Sequence, residues 1–220
     1  MTHILVIVGL FIITGRTAPF GDSRVLFIAT GVVPFMTFGY MARYMMLSVV
    51  RNRPLLEFPE VKILDILLAS ALLEVLAAVC VTIVLIIIAW FAGIDVMPRD
   101  IVQVFYAFGA AELLGVGFGI TNSVIALAAP PWFTGYILVH QILWVSSGIF
   151  FVPDALPKVI REAAAYNPAL QVVEWTRSAY YEGYGALVLD RGYVIAFGLA
   201  SVFFGLVLER AMRGHILAKR

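Results

Sequence analysis

The sequence predicts an all-α membrane protein with six transmembrane helices and a pair of re-entrant helices before the last span. Of its 220 residues, 62% are hydrophobic and only 13% are charged, and the mean hydropathy is +0.99. A soluble domain has about a quarter of its residues charged, so this chain has too little polar surface to cover a water-soluble body. Its apolar residues also form runs that can cross about 30 Å of hydrocarbon. We expect residues 1–220 to form a single transmembrane domain.

The apolar runs place the spans in chain order. The expected spans are residues 25–50, 66–92, 102–128, 133–152 and 192–209. An opening run at 2–14 has thirteen residues, which as a helix would measure about 20 Å. We expect it to be an incomplete first span, or one that begins upstream of Met1.

The stretch before the last span is too polar to cross a membrane and too apolar for an ordinary solvated loop. Backbone that is not helical is tolerated at membrane depth only where protein covers it or water reaches it. We therefore expect a re-entrant pair of short helices at about 156–166 and 169–182, broken at Asn167-Pro168.

Lysine and arginine in short loops predict the orientation, because cytoplasmic loops carry an excess of them. One side of the predicted bundle carries seven: Arg51, Arg53, Lys62, Arg210, Arg213, Lys219 and Arg220. The other side carries three: Arg16, Arg24 and Arg99. Residues 51–65 and the C-terminus are then cytoplasmic, and six spans place the N-terminus there as well.

Several function classes lack support in the sequence. A formal net charge of +1 disfavours a nucleic-acid partner held by bulk electrostatics. The chain has no GxxxxGK[ST] phosphate loop, and no Cys or carboxylate lies at metal-ligand spacing to its three histidines. We therefore expect no cofactor, no metal and no catalytic constellation in this chain. Gly115 and Gly119 have the GxxxG spacing that lets membrane helices approach closely, so we interpret them as packing residues.

Three charged residues fall inside predicted spans, where charges are costly and usually face a neighbour or water. Arg43 and Glu74 lie about 12 and 13 Å from the cytoplasmic ends of their helices, and this matching depth suggests an ion pair. Alternatively, Arg43 extends alone toward the interface while Glu74 faces a wet cavity. Glu112, close to the midplane, lines a path or bonds to a neighbouring helix.

Aromatic residues cluster in the segment before the last span: Tyr166, Trp175, Tyr180, Tyr181, Tyr184 and Tyr193. The general interpretation is an interfacial aromatic belt. A more specific one is a set of stacking faces for sugar rings, with Glu174 and Arg177 supplying polar contacts.

Two regions of the sequence carry a family resemblance. The stretch RNRPLLEFPEVKILD at 51–65, followed by Leu72-Leu73-Glu74, resembles the first cytoplasmic loop of polysaccharide-export ABC permeases of the ABC-2 type. It is closest to the capsule-polysaccharide branch. The stretches 152–157, 166–177 and 181–184 are similar to that family's segment before its last span. Both regions have the family's order and spacing, and the resemblance covers essentially the whole chain.

The resemblance implies the ABC-2 exporter fold and a multi-pass permease of the inner membrane that moves capsular or related polysaccharide. In that family two identical permeases form the channel, and cytoplasmic ATPase subunits bind the ATP that drives them. Other expected partners are membrane lipid and periplasmic export proteins. The ATPase would dock on a coupling loop at 51–65, with the contact residues Arg53, Leu55, Leu56, Glu57, Phe58, Val61 and Asp65. A periplasmic segment at 153–184 would gate the exit.

The residues expected to form the substrate path or gate are Glu112, Tyr166, Glu174, Trp175, Arg177, Tyr180 and Tyr181. Alternative cargoes are O-antigen, a teichoic-type polymer or a smaller molecule. An ion-coupled carrier with Glu74 and Glu112 as proton sites is a different class, but its usual inverted repeats are not visible in the sequence. Family members also carry an amphipathic helix before the first span, so we expect a coding extension upstream of Met1.

Overall fold

The computed structural model describes residues 6, 9 and 18–218, and in that part of the chain the regular structure is entirely helical. The α-helices with described bounds are α1 (Arg24–Arg51), α2 (Ile63–Phe91), α3 (Ile101–Ala128), α4 (Trp132–Val145), α5 (Lys158–Ala165), α6 (Pro168–Tyr180) and α7 (Arg191–Ala218). Short 3-10 helices cover Arg53–Glu57 and Pro153–Ala155. The predicted all-α class is confirmed.

Polar residues that precede the apolar runs set where the helices begin. The Ser23 hydroxyl accepts the Leu26 amide at 3.2 Å at the start of α1. At the start of α3, Asp100 accepts the amides of Val102 and Gln103 at 3.0 and 3.1 Å. Asn167 does the same for Ala169 at 2.9 Å in α6, where Pro168 occupies the first turn. Each cap satisfies amides that have no partner inside the helix.

Four described helices are long and apolar enough to cross a membrane: α1, α2, α3 and the part of α7 up to Met212. Helix α4 has only 14 residues, or about 21 Å, so it ends earlier than the predicted span 133–152. The end comes where Ser146 and Ser147 turn their hydroxyls back onto the helix carbonyls and Gly148 takes a positive φ of 76°. The predicted span 2–14 lies outside the described residues.

Helix α3 packs between α1 and α7 through glycines on its two sides. A Cβ added at Gly115 or Gly119 would lie about 2.5 Å from side-chain atoms of Met41 and Met45 on α1. On the other side, a Cβ at Gly117 would meet Ser201 of α7. The packing interpretation of the GxxxG spacing is therefore confirmed, because these glycines bring the helix backbones together.

Helices α1 and α2 have opposite environments. Helix α1 contributes Phe27, Phe35 and Phe38 to the core, each at most 1% exposed. Helix α2, although more apolar in composition, is mostly exposed, with large side chains such as Leu73 and Trp90 on its surface. In a bilayer these exposed side chains would contact lipid.

Candidate functional site

The loop between α1 and α2 exposes two apolar side chains, and a third, buried apolar side chain anchors it to the helices. Its 3-10 helix exposes Leu55 (45%), and Phe58 follows at 60% exposure. Leu56, between them, is only 7% exposed and packs in a cluster with residues of α1, α2 and α3: Met41, Met45, Val49, Ile63, Ile66, Leu67, Ala71 and Ile120. One side chain thus holds the loop on the bundle, while two face outward.

Hydrogen bonds tie both ends of this loop to the adjoining helices. The Asn52 side-chain amide donates to the Ser48 carbonyl of α1 at 2.8 Å. At the other end, the Asp65 carboxylate accepts the Lys62 amide at 2.8 Å. Val61 packs against the same cluster as Leu56, and Arg53 and Glu57 are exposed. A force applied to the loop would therefore reach α1 and α2 directly.

A second site surrounds Arg177 on α6, whose side chain is fully buried. Its Nη1 donates to the carbonyl oxygens of Gly148 at 2.6 Å and Phe151 at 3.1 Å. Its Nη2 donates to the Ile149 carbonyl at 2.8 Å. The guanidinium also lies 3.9 Å from the centre of the Phe27 ring, a cation–π contact. Arg177 thereby joins α6 to the start of α1 and to the segment after α4.

Glu174 is equally buried and partly balances the Arg177 charge. Its Oε1 lies 3.8 Å from Nη1 of Arg177 and accepts the Tyr184 hydroxyl at 2.6 Å. Among described residues, the Glu174 Oε2 and the Arg177 Nε have no hydrogen-bond partner. Burial raises the pKa of Glu174 to about 7, against the opposing effects of the Tyr184 hydrogen bond and the Arg177 charge.

The residues predicted to form the gate lie in different environments. Tyr166 is 77% exposed, whereas Trp175 is buried and donates its Nε1 hydrogen to the Gln103 side chain at 2.8 Å. Tyr180 and Tyr181 are half-buried. The polar sugar contacts expected from Glu174 and Arg177 are not available in this conformation, because both side chains are enclosed and hold the segment together.

A third site is a cavity of about 350 Å³ between α1 and α4. Its polar lining consists of Tyr40, Arg43, Tyr136, His140 and Gln141. A Cβ at Gly39 would lie about 2.5 Å from the His140 Nε2, so this glycine makes room for the histidine against α1. The Tyr136 ring is 2% exposed, and its hydroxyl has no hydrogen-bond partner among the described residues.

The structure does not join Arg43 to Glu74. Ion pairs within 4.0 Å in the described part of the chain are Arg99–Glu182, Lys158–Glu162 and Glu174–Arg177. Glu74 lines a separate, small cavity between α1 and α2 and lies within electrostatic range of the half-buried Glu112 on α3. Matching depth did not bring Arg43 and Glu74 together, because their side chains face different neighbours around the helix axes.

Sequence reasoning missed Tyr136 and Gly39 as parts of the α1–α4 cavity. One signal was present: an arginine in an apolar helix requires polar surroundings. The residues that supply these surroundings lie about 95 positions away on α4, and no short-range pattern links them.

Comparison with family models finds no match. Comparison with curated proteins finds clear relatives. The chain is 30% identical over 216 residues to the polysialic acid transport protein KpsM of Escherichia coli, covering 98% of this chain and 83% of that protein. It is 24% identical over 208 residues to the capsule polysaccharide export inner-membrane protein CtrC of Neisseria meningitidis serogroup B, covering 94% and 78%. For the corresponding BexB protein of Haemophilus influenzae the identity is 24% over 192 residues, covering 86% and 71%.

Proposed function

This chain belongs to the capsule-polysaccharide branch of the ABC-2 type export permeases, and we propose that two copies of it form the channel of an ATP-driven exporter. It is a multi-pass protein of the inner membrane and the permease component of polysaccharide export, not an enzyme itself. The cargo that we propose is a capsular polysaccharide.

The loop at 51–65 supports docking of a separate ATPase on the cytoplasmic side. Outward-facing Leu55 and Phe58 offer an apolar contact, and Arg53 and Glu57 beside them offer charges of both signs. Leu56 and Asp65 anchor the loop on α1 and α2, so a movement of the ATPase would displace these helices. This anchored but exposed geometry is the observation that carries the proposal.

We further propose a topology of six spans, with residues 2–14 belonging to the first and α4 forming a short fifth. In this topology α5 and α6 form a re-entrant pair on the periplasmic side that gates the exit. The support is their brevity, the break at Asn167-Pro168, and the attachment of α6 to α1 and to the end of α4 through Arg177. Water or protein would cover the non-helical backbone at that depth.

The double substitution Leu55→Asp with Phe58→Asp tests the coupling. Both side chains are exposed, so we expect the variant to reach the membrane at normal levels. We also expect loss of co-purification with its ATPase partner, and polymer trapped in the cytoplasm. Met97→Asp is the matched control, because Met97 is 77% exposed in the loop between α2 and α3, on the proposed periplasmic side.

Normal surface capsule in the double variant would refute the coupling role of the loop. Normal capsule after deletion of the whole gene would refute the export function itself. The two experiments therefore separate an error in the site from an error in the function.

A further inference from the structure

Helix α2 packs against the described part of the bundle only through its first turns. Its buried residues are Ile63, Ile66, Leu67 and Ala71, all within the first nine residues of the helix. In the remainder of α2, residues 72–91, no side chain is buried against the described chain. The later part of α2 therefore stands apart from α1 and leaves space between the two helices.

This space is a cavity of about 170 Å³, which we call the α1–α2 crevice. It lies nearer the end of α2 than the small cavity beside Glu74 does. Its facing walls include apolar side chains of both helices: Val25, Leu26, Ala29, Val33, Leu85 and Ala89. Phe108 of α3 and Tyr180 of α6 also line it. Ile86 and Ile88 line the crevice and are 44% and 42% exposed, so it opens onto the lipid-facing side of α2.

Water is a poor occupant of the α1–α2 crevice, because a buried water needs several polar partners. The Thr30 hydroxyl that lines it donates to the Leu26 and Phe27 carbonyls of its own helix at 2.9 and 3.0 Å. The Thr176 hydroxyl donates to the Val172 carbonyl at 2.9 Å. An empty crevice would also be unfavourable, because its apolar walls would lose dispersion contacts. The expected occupant is therefore an apolar molecule.

The length of the crevice matches one leaflet of a bilayer. Its α1 wall runs from Val25 to Pro34, or ten residues, which measure about 15 Å along the helix. This is half of a hydrocarbon core of about 30 Å. On the orientation proposed above, the start of α1 is periplasmic, so the crevice lies in the periplasmic leaflet. Because the exposed side chains of α2 would contact lipid at that depth, acyl chains are available at its opening.

A positive charge lies at the outer end of the crevice. Arg24 directly precedes Val25 in the α1 wall and is exposed. No described carboxylate, Asp22 included, lies within 4.0 Å of its guanidinium. A guanidinium at the membrane interface suits a phosphate in both charge and hydrogen-bond geometry. The phosphate of a lipid whose chain fills the crevice would lie at this end.

We propose that a phospholipid of the periplasmic leaflet binds here, with one acyl chain in the α1–α2 crevice and its phosphate beside Arg24. The chain would fill the gap between α1 and the later part of α2, and so connect the two helices. No described residue of the crevice lining carries a charge, so binding should depend on the chain and the phosphate and not on the rest of the headgroup. The site is independent of the exported polymer.

Photolabelling of the full-length protein in proteoliposomes tests this site. The probe is phosphatidylethanolamine with a diazirine midway along one acyl chain, and mass spectrometry of the digested protein locates the labelled residues. We expect the crevice residues to be labelled several-fold more strongly than Val84 and Ile87, which are exposed on α2 outside the crevice. Ala89→Phe should reduce crevice labelling roughly tenfold, because a close-packed ring there leaves no room for the chain. Ile87→Phe, the matched control on the exposed side of α2, should leave it unchanged.

Native mass spectrometry of the full-length protein in detergent, titrated with phosphatidylethanolamine, tests the phosphate contact. We expect Arg24→Gln to retain bound phospholipid several-fold less than the unmodified protein, because the phosphate loses its cation. Arg51→Gln, at the other end of the same helix, should retain it normally. Unchanged retention in Arg24→Gln would overturn the contact between Arg24 and the phosphate.

Equal labelling of the crevice and of the exposed side of α2 would overturn the proposal, as would crevice labelling that persists in Ala89→Phe. A photoreactive leucine analogue at Leu85 distinguishes the occupants. Its cross-linking to residues 2–14 or to a second copy, and not to lipid, would assign the crevice to a protein segment and overturn the lipid. Should Ala89→Phe fail to reach the membrane, Ala29→Leu, which narrows the crevice from the α1 wall, decides.

Discussion

Arg177 and Arg43 show two ways in which this membrane protein accommodates a guanidinium. Arg177 on α6 is fully enclosed, and carbonyl oxygens of Gly148, Ile149 and Phe151 surround it together with Glu174. Arg43 on α1 borders an open cavity and has no carboxylate within 4.0 Å among the described residues. Groups of the protein itself bind Arg177. Arg43 instead borders an open cavity.

The difference arises from the local backbone. Around Gly148 the chain is not helical, so its carbonyl oxygens have no intrahelical amide partner and can accept from Arg177. Around Arg43 the carbonyls of α1 are engaged within the helix. A buried guanidinium can therefore be satisfied where helices end, whereas one in the middle of a helix depends on side chains or a ligand. Arg177 is consequently held by groups of the protein itself, whereas Arg43 borders a cavity.

The largest expected effect in this comparison is that of Arg177→Gln. Removing one partner of a buried charged pair typically costs about 3–5 kcal/mol, because Glu174 and three carbonyl oxygens would lose their partner. Denaturant unfolding of the protein in detergent would measure the loss. Arg99→Gln is the control: Arg99 pairs with Glu182 at 3.2 Å on the surface, and such pairs contribute about 1 kcal/mol or less.

If Arg177→Gln and Arg99→Gln destabilised the protein equally, the enclosed network would not be a major source of stability. For Arg43→Gln we expect a much smaller change in unfolding free energy than for Arg177→Gln. The reason is that Arg43 leaves no carboxylate of the described residues unpaired, since none lies within 4.0 Å of it.

The next effect is the pH dependence that Glu174 contributes. Burial raises the pKa of Glu174 from 4.5 to about 7, so the folded state binds this proton more tightly than the unfolded state. The stability that proton binding at Glu174 contributes is fully present below pH 4.5 and is lost as the pH rises toward 7. A shift of this size corresponds to about 3 kcal/mol.

Glu174→Gln should flatten the stability profile between those pH values, since glutamine does not titrate. Glu182→Gln, whose side chain is 81% exposed, should leave the profile unchanged. Thermal melts across this pH range measure both variants. If stability depended on pH as steeply in Glu174→Gln as in the unmodified protein, Glu174 would not titrate in this range, and Arg177 would keep it ionised.

The smallest expected effect concerns the wall of the α1–α4 cavity. In Gly39→Ala the new methyl group would overlap the His140 ring, and overpacking of this kind costs about 1–3 kcal/mol. Gly109→Ala on α3 is the matched control, because a Cβ there meets nothing within 4 Å. That change should be neutral, or stabilising by about 0.5–1 kcal/mol, since alanine is the better helix former. Equal melting temperatures for the two variants would contradict the close contact between Gly39 and His140.

Much of the fold was readable from local pattern. The long apolar runs predicted both ends of α1, α2 and α3 and the start of α7 to within a few residues, whereas α7 continues nine residues past its predicted end at 209. Asn167-Pro168 marked the start of α6. The predicted end of α4 was wrong because Ser146, Ser147 and Gly148 turn the chain, while the apolar composition continues to Val152. Hydropathy reports the composition of a run and does not report the backbone turn within it.

Sequence by itself determined the membrane class, the family and the loop at 51–65, because composition and short motifs are properties of neighbouring residues. Tertiary structure alone decided the partners of the charged side chains. Arg177 donates to the carbonyls of Gly148, Ile149 and Phe151, and Arg43 lines a cavity with Tyr136 and His140 and does not pair with Glu74. Depth along a helix follows from counting residues, but the direction in which a side chain points depends on how the helices rotate and pack. The rotation and packing of the helices therefore determine that Arg177 is enclosed by protein groups and that Arg43 borders a cavity.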